Sequence, residues 1–125
     1  MNKPIQLIVH HEAPPILTNA PRFKIVNDYH KSKEFPRSSL GYYCGYHYFI
    51  EKTGQVIQAR NDSDEGAHTI GQNSNSIGIC LAGNFDLEMP TRPQIDALRT
   101  LLATLSLKYG ILPLAIVPHR KYSPK

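Results

Sequence analysis

The chain contains no apolar run of the length that a membrane span requires, although 41% of its 125 residues are hydrophobic. Its first residues, Met1 to Pro4, lead directly into a predicted strand without the apolar segment of a secretory signal peptide. The sequence also has no internal repeat, low-complexity tract or linker. We therefore expect a single globular domain that is made in a cytoplasm and is long enough to bury a core.

Cysteine is rare in the sequence, and its spacing carries no metal motif. The two cysteines, Cys44 and Cys80, lack the CxxC spacing of many metal and redox sites. Both lie in apolar segments that are typical of strands. We expect buried, reduced thiols, with a disulfide as the less favoured alternative.

Acidic residues are fewer than basic ones, and the formal net charge is +4. A positive charge suits an anionic partner, such as a cell wall or a nucleic acid, but it is also common on solvated surfaces. The sequence lacks basic clusters with interleaved aromatic residues. A nucleic-acid-binding or protein-binding domain is therefore the least favoured of the possible functions.

The hydrophobic pattern predicts an α/β fold in a single domain, with a mixed central β-sheet of about five strands flanked by helices. A capping box, Thr91 with Gln94, opens the clearest helix, and Gly110 is its predicted C-cap. Residues 61–75 form a long polar loop, which is more often functional than idle. The predicted strands are residues 5–10, 44–51, 56–60, 76–82 and 114–117, and the first predicted helix is 22–33.

Two of the predicted strands end at histidines. Ile5 to Val9 leads into His10 and His11, and residues 114–117 lead into Pro118 and His119. If the two strands are parallel neighbours, their ends bring these imidazoles together, which is a common way to hold zinc. A single histidine is more often a packed or surface residue, so it is the pair that indicates a metal site.

For the remaining candidate residues, residue type and position alone do not indicate a role in a functional site. His30 on a helix and His47 in a strand are expected to be structural. His68, in the long polar loop, suits a substrate contact and a solvated position equally well. Tyr46 is a core aromatic residue on composition alone, and the terminal Lys125 is expected to be solvated.

Four segments, in a specific order and spacing, cover nearly the whole chain. They are Ile8–His11; Gly45–Ile50 with Thr53 and Gly54; Gly66–His68 with Asn75–Ile79 and Gly83; and His119 with Lys125. On these segments the chain resembles the zinc-dependent N-acetylmuramoyl-L-alanine amidases of the amidase-2 and peptidoglycan-recognition family. The small phage endolysins are the members that it resembles most.

The resemblance implies a role for each matching residue. The implied zinc ligands are His10 and His119, the implied catalytic residues are Tyr46 and Lys125, and the implied substrate-groove residues are His68 and Asn75. His11 occupies a position that varies in the family, so it is a weaker candidate. Zn²⁺ is the implied cofactor.

The sequence departs from the family pattern at the third zinc ligand. Similar amidases have a Cys or Asp two positions past the matching lysine, whereas this sequence stops at Lys125. We expect a chain without its C-terminal end, because the motif is intact up to its last residue. The alternatives are a substitute ligand, such as Glu12, a loop carboxylate or the terminal carboxylate, and a protein that binds without hydrolysis.

The resemblance also implies the reaction and its setting. The expected enzyme uses a zinc-activated water to cleave the amide bond between N-acetylmuramic acid and L-alanine. We expect a phage endolysin that is made in the host cytoplasm and acts on the cell wall after release; a cytoplasmic recycling amidase fits less well. Its expected partner is bacterial peptidoglycan, with no nucleic acid, no membrane insertion and a monomeric state. The alternative is a non-catalytic peptidoglycan-binding module of the same fold.

Overall fold

The structure is a computed structural model that describes residues 1–12 and 20–122. These residues form a five-stranded mixed sheet and two α-helices in one domain, which confirms the predicted α/β class. The strands are β1 (Gln6–His11), β2 (Tyr48–Ile50), β3 (Val56–Gln58), β4 (Ser76–Leu81) and β5 (Ile116–Pro118), and the helices are α1 (Phe23–Ser32) and α2 (Arg92–Tyr109).

The strand order in the sheet is β3-β2-β4-β1-β5. Strand β1 pairs in parallel with both β4 and β5, and β2 pairs in parallel with β4. Only β3 runs antiparallel to its partner among the described strands. The two strands that lead to histidines are therefore parallel neighbours, with Val9 opposite Pro118, which is the arrangement that the metal-site hypothesis requires.

The core lies on both faces of the sheet because alternate residues of a strand point in opposite directions. On one face, Ile77 and Ile79 of β4 belong to a cluster that includes Leu105 of α2. On the other face, Cys80 of β4 belongs to a cluster that includes Val26 of α1. All six residues of β4 are buried, as is typical of a central parallel strand.

Helix α2 begins at the predicted capping box and ends at the predicted glycine. Thr91 and Gln94 exchange both hydrogen bonds of the box, and Gly110 adopts the left-handed conformation with φ of 64°. The side chain of Gln94 is fully buried and also donates to the carbonyl oxygens of Ile50 and Ala82. The box therefore fixes the start of α2 to the sheet as well as closing the helix.

The segment 44–51 was predicted as one strand, but only its last part is a strand. Residues 44–47 are not in a strand. They bond to the long polar loop instead, since Ala67 N–H donates to the Gly45 carbonyl over 3.0 Å. The alternation of residues 44–51 in the sequence predicts Tyr46 on the same face of the sheet as Tyr48 and Ile50, and for Tyr46 this is wrong. Tyr46 packs against the cluster on the α1 face of the sheet, whereas Tyr48 lies in the α2 cluster.

The predicted last strand, 114–117, is also wrong in its first half. Pro113, Leu114 and Ala115 form a short 3₁₀ helix, and Leu114 is 93% exposed. The fixed φ of Pro113 suits the first turn of a helix, and its missing N–H excludes a ladder bond at that position. Strand β5 therefore begins only at Ile116.

The sequence periodicity predicts Phe23, Val26 and Tyr29 on the apolar face of α1. This prediction is correct at Val26 and wrong at Tyr29, which is 57% exposed. His30 is buried instead, and its Nδ1 accepts a hydrogen bond from Gly45 N–H. His47 is fully buried, with Nδ1 accepting from Gly78 N–H and Nε2 bonded to the Asp64 carbonyl. Both histidines support the backbone, as the sequence predicted.

The structure confirms the predictions for the long polar loop and for the two cysteines. Residues 61–75 contain no helix or strand. Cys44 and Cys80 are buried free thiols. Neither α1 nor α2, the helices found in the described part of the chain, is long and apolar enough to cross a bilayer.

Candidate active site

The site is built at the carboxyl ends of β1 and β5. Because Val9 lies opposite Pro118, the residues that follow, His10 and His119, leave the sheet side by side. Their ring centroids are 4.4 Å apart, and the ring planes are inclined by 31°. His10 is buried, with 5% of its surface exposed, whereas His119 is partly buried. The two predicted ligands are therefore neighbours.

His68 packs against the inner side of His10. The Nε2 atom of His10 lies 2.9 Å from Nδ1 of His68, and the two rings meet edge to face at 87°. The hydroxyl of Thr69 lies 2.9 Å from the same His68 nitrogen. The long polar loop therefore reaches the site through a partly buried contact.

Two glycines make room for the His68 ring. A Cβ atom on Gly66 would lie 2.4 Å from Cδ2 of His68, and one on Gly78 would lie 2.5 Å from the same atom. A glycine within the predicted strand 76–82 indicates a close approach to the backbone at Gly78, and the group that approaches is the His68 imidazole. Any larger residue at either position requires the ring to move.

Tyr46 completes the cluster from the α1 side. Its ring centroid lies 4.9 Å from that of His10 and 5.6 Å from that of His30. Burial raises the pKa of Tyr46 well above its usual value, and a hydrogen bond to the Cys80 thiol raises it further. The hydroxyl is therefore a proton-bearing donor rather than a base.

The imidazoles of the site are neutral at neutral pH. Burial lowers the pKa of His10 to about 2, with smaller contributions from the neighbouring His68 and His119. Burial likewise lowers the pKa of His68 to about 3 and lowers the pKa of His119. Metal binding requires an unprotonated ring nitrogen, so the electrostatics favour a metal ion over protons.

The donor set fits zinc at two positions. Among residues 1–12 and 20–122, no group of three His, Cys, Asp or Glu side chains could hold a metal ion. Glu12, which the sequence offers as a substitute ligand, is committed elsewhere: its carboxylate lies 2.7 Å from Arg22 Nη2 and accepts a hydrogen bond from Gly83 N–H. His10 and His119 therefore supply two nitrogen donors, and the described residues supply no third.

An open cavity of about 530 Å³ adjoins the histidines. His68, Thr69, Asn73 and His119 contribute its polar lining, and Phe35, Ala67, Ile70 and Tyr122 contribute apolar surface. A second cavity, of about 470 Å³, is lined by Tyr46 and by residues of α1, among them Val26 and His30. His68 and Tyr46 thus each border a cavity.

The structure does not bring all predicted site residues together. Asn75 lies outside the cluster, where its side chain accepts a hydrogen bond from Gln6 and donates one to Gln72. Lys125 lies outside the described residues. The roles of both residues in the reaction stay predictions.

Sequence reasoning did not identify Thr69 and Ser76 as part of the site. The hydroxyl of Ser76 lies 3.3 Å from Nε2 of His68, and Ser76 is fully buried. The sequence does contain one signal for this part of the site. Gly66 and Gly78 flank His68 in the sequence, and glycines at such positions indicate that a bulky group packs against the backbone.

The fold and the paired histidines define a class: an α/β domain with neighbouring imidazoles at the ends of parallel strands. Comparison with known proteins identifies the class further. The sequence profile described as N-acetylmuramoyl-L-alanine amidase matches residues 1–125. The chain therefore belongs to the N-acetylmuramoyl-L-alanine amidase family.

Individual relatives agree with this assignment. The endolysin of Escherichia phage T7 is 38% identical over 86 residues, which cover 65% of this chain and 56% of the endolysin. Peptidoglycan-recognition protein 2 of Holotrichia diomphalia is 34% identical over 101 residues, which cover 76% of this chain and 51% of that protein. The chain thus spans about half the length of these curated relatives.

A solved structure confirms the fold. The N-acetylmuramoyl-L-alanine amidase LysC from Clostridium intestinale URNW superposes with a TM-score of 0.83 at 27% identity. The superposition covers 99% of this chain and 75% of LysC. The single-domain mixed sheet with two helices is therefore the architecture of an amidase domain.

Proposed function

We propose that this chain carries the active site of a peptidoglycan hydrolase, which cleaves the amide bond between N-acetylmuramic acid and L-alanine. The observation that carries the proposal is the pair of neighbouring neutral imidazoles, His10 and His119, in a member of the amidase family. The endolysin and recognition-protein relatives support peptidoglycan as the ligand.

The proposed cofactor is Zn²⁺, held by His10 and His119. When bound, zinc supplies a water whose pKa is about 7 and polarises the amide carbonyl. Catalytic zinc sites usually have three protein ligands and an open position. The proposal therefore takes the third ligand from outside residues 1–12 and 20–122.

The residues around the metal position carry the other proposed roles. Tyr46 keeps its proton, so its hydroxyl donates a hydrogen bond to the oxyanion that forms on the amide. Its present partner, the Cys80 thiol, is a weak acceptor, so an anionic oxygen competes well for this donor. Lys125 is the second proposed donor to the oxyanion. Loss of such a donor costs about 100- to 1000-fold in kcat.

The cavity beside His68 is the proposed substrate site. Its apolar lining suits the carbon skeleton of a sugar or peptide, and its histidine, threonine and asparagine side chains offer hydrogen bonds. His68 keeps its proposed contact with substrate. Asn75 has less support, because its amide already binds Gln6 and Gln72.

The proposed setting is the bacterial cell wall. The endolysin relatives support a phage enzyme that is made in the host cytoplasm and acts on the wall after release. In this proposal the protein acts as a monomer on peptidoglycan, without nucleic acid and without membrane insertion.

The second candidate is a peptidoglycan-binding module without activity. It is favoured by the recognition-protein relative and by the two-donor metal site of the described residues. The two candidates differ in one measurable product, because only hydrolysis creates new L-alanine amino termini.

The test is digestion of purified peptidoglycan with Zn²⁺ present, followed by quantification of new L-alanine amino termini and of reducing sugars. An amidase raises the amino termini and leaves the reducing sugars unchanged. His119→Ala should abolish zinc retention and the release of amino termini while the circular dichroism spectrum stays the same. Sedimentation of the protein with peptidoglycan, without any new amino termini, would establish the binding module instead.

A further inference from the structure

A chain of hydrogen bonds runs from the site into the backbone. Nε2 of His10 lies 2.9 Å from Nδ1 of His68, and Nε2 of His68 lies 3.3 Å from the hydroxyl of Ser76. The Ser76 hydroxyl in turn lies 2.6 Å from the carbonyl oxygen of Gln72. Ser76 is fully buried and His10 nearly so, whereas His68 between them is partly buried and borders the open cavity.

The donor-to-acceptor direction of this hydrogen-bond chain is fixed at Ser76. A carbonyl oxygen only accepts, so the Ser76 hydroxyl donates to Gln72 and accepts from Nε2–H of His68. A neutral imidazole with its proton on Nε2 has an acceptor at Nδ1. His10 must then carry its own proton on Nε2 and donate it to His68.

The opposite direction is unfavourable. If His10 carried its proton on Nδ1, His68 would have to donate from Nδ1, and its Nε2 lone pair would face the Ser76 oxygen. The Ser76 proton would then have to leave the shorter bond to Gln72 for the longer one to His68. The Thr69 hydroxyl fits both directions, because it donates and accepts.

His68 is held rigidly enough to impose this arrangement. Its ring lies in the slot between Gly66 and Gly78. The backbone N–H groups of His68 and Thr69 both donate to Oδ1 of Asn73, over 2.9 and 3.0 Å. The ring and its backbone are thus fixed independently of His10.

We propose that His68, anchored by Ser76, is a positioning residue that keeps the proton of His10 on Nε2 and so reserves Nδ1 of His10 for the metal. The hydrogen bond that one ring nitrogen makes decides which nitrogen is free to bind a metal. The inference rests on the proposed zinc site, but the tautomer itself exists without metal or substrate. It gives His68 a task distinct from any contact with substrate.

The first test measures tautomers in the metal-free protein by long-range ¹H–¹⁵N correlation spectra at neutral pH. We expect His10 and His68 both as Nε2–H tautomers. His30 and His47 serve as internal references, because each accepts a backbone N–H bond at Nδ1. A Nδ1–H tautomer of His10 in the wild-type protein would overturn the proposal.

Two variants test whether His68 and Ser76 cause the preference. In His68→Ala and Ser76→Ala we expect a mixture of His10 tautomers. His68→Asn should restore the single tautomer, because the asparagine oxygen reaches approximately the position of Nδ1. If His10 keeps a pure Nε2–H tautomer in both alanine variants, the positioning role is refuted.

A matched control is available for the serine variant. Ser38 is also buried, and its hydroxyl donates to the Ala59 carbonyl over 2.6 Å, the same distance as in Ser76. Ser38→Ala removes this bond together with the bonds that the hydroxyl accepts from Leu40 and Tyr42 N–H, over 3.2 and 3.3 Å. We expect it to lower stability at least as much as Ser76→Ala and to leave the tautomer of His10 unchanged.

The affinity for Zn²⁺ alone provides a second measurement. We expect His68→Ala to weaken it about 10- to 100-fold, the usual effect of losing a group that orients a ligand. His68→Asn should recover most of the loss. An unchanged zinc affinity in His68→Ala would show that His68 does not orient His10 for metal binding. If the tautomers follow the expectation but the protein releases no L-alanine amino termini from peptidoglycan, the proposed function alone is contradicted.

Discussion

Individual buried histidines set the charge of the site and its response to pH. His10, His68 and His47 all have lowered pKa values, and in each case burial is the largest cause. Proton uptake by these rings therefore competes with folding. His30 shows the effect most simply, because it lies on a helix and contacts neither His10 nor His119.

The pH dependence of His30 is directly testable. Burial lowers its pKa to about 4, so between about pH 6.5 and pH 4 the unfolded chain binds more protons than the folded one. His30 therefore contributes stability that is present above about pH 6.5 and is lost as the pH falls through 4. Urea unfolding of the metal-free protein across this range should show a shallower decline for His30→Asn.

The asparagine keeps an acceptor near Gly45 N–H, so the comparison isolates proton uptake from the lost hydrogen bond. The other buried histidines affect the pH dependence of stability equally in the wild-type protein and in His30→Asn, so their contributions cancel when the two are compared. Parallel declines for the two proteins would contradict the expectation.

At the scale of elements, α1 depends on a carboxylate from another part of the chain. Both oxygens of Glu51 accept hydrogen bonds from Arg22 N–H, and one also accepts from Phe23 N–H. Glu51 is buried and follows β2 directly. It satisfies the free N–H groups at the start of α1 and places a negative charge at the positive end of the helix.

Removal of this carboxylate should destabilise the domain. We expect Glu51→Ala to lower the free energy of unfolding by about 1–3 kcal/mol, because buried N–H groups lose charged acceptors. Asp96→Ala is the control, since Asp96 forms an exposed ion pair with Arg92 whose loss costs about 0.5 kcal/mol or less. Chemical denaturation of both variants measures the difference, and equal effects would show that Glu51 does not cap the helix.

Prediction from the sequence was most successful where the residues of a segment themselves determine its conformation. The capping box at Thr91 and the apolar run of β4 are local signals, and both are confirmed. It was wrong at Tyr46 and Leu114, where loop contacts and a proline decide the backbone. The hydrogen-bond chain through Ser76 depends on three separate segments, so no local pattern predicts it.

For the whole molecule, the proposed zinc site links metal binding to folding, because His10 and His119 meet only in the folded sheet. A ligand that binds only the native state stabilises it by about 2.7 kcal/mol at a concentration of 100 times Kd. We therefore expect Zn²⁺ to raise the Tm of the wild-type protein and a chelator to reverse the change. His119→Ala should show no increase; an equal increase in that variant would place the metal elsewhere.

Strand β5, which carries His119, is three residues long and pairs only with β1 among the described strands. Such an edge segment detaches at a lower free energy than the centre of a sheet does. Detachment of β5 alone separates the two imidazoles while the rest of the sheet stays intact. In the proposed zinc-bound form, this local opening would govern the residence time of the ion, and the ion would in turn hold the edge strand to the sheet.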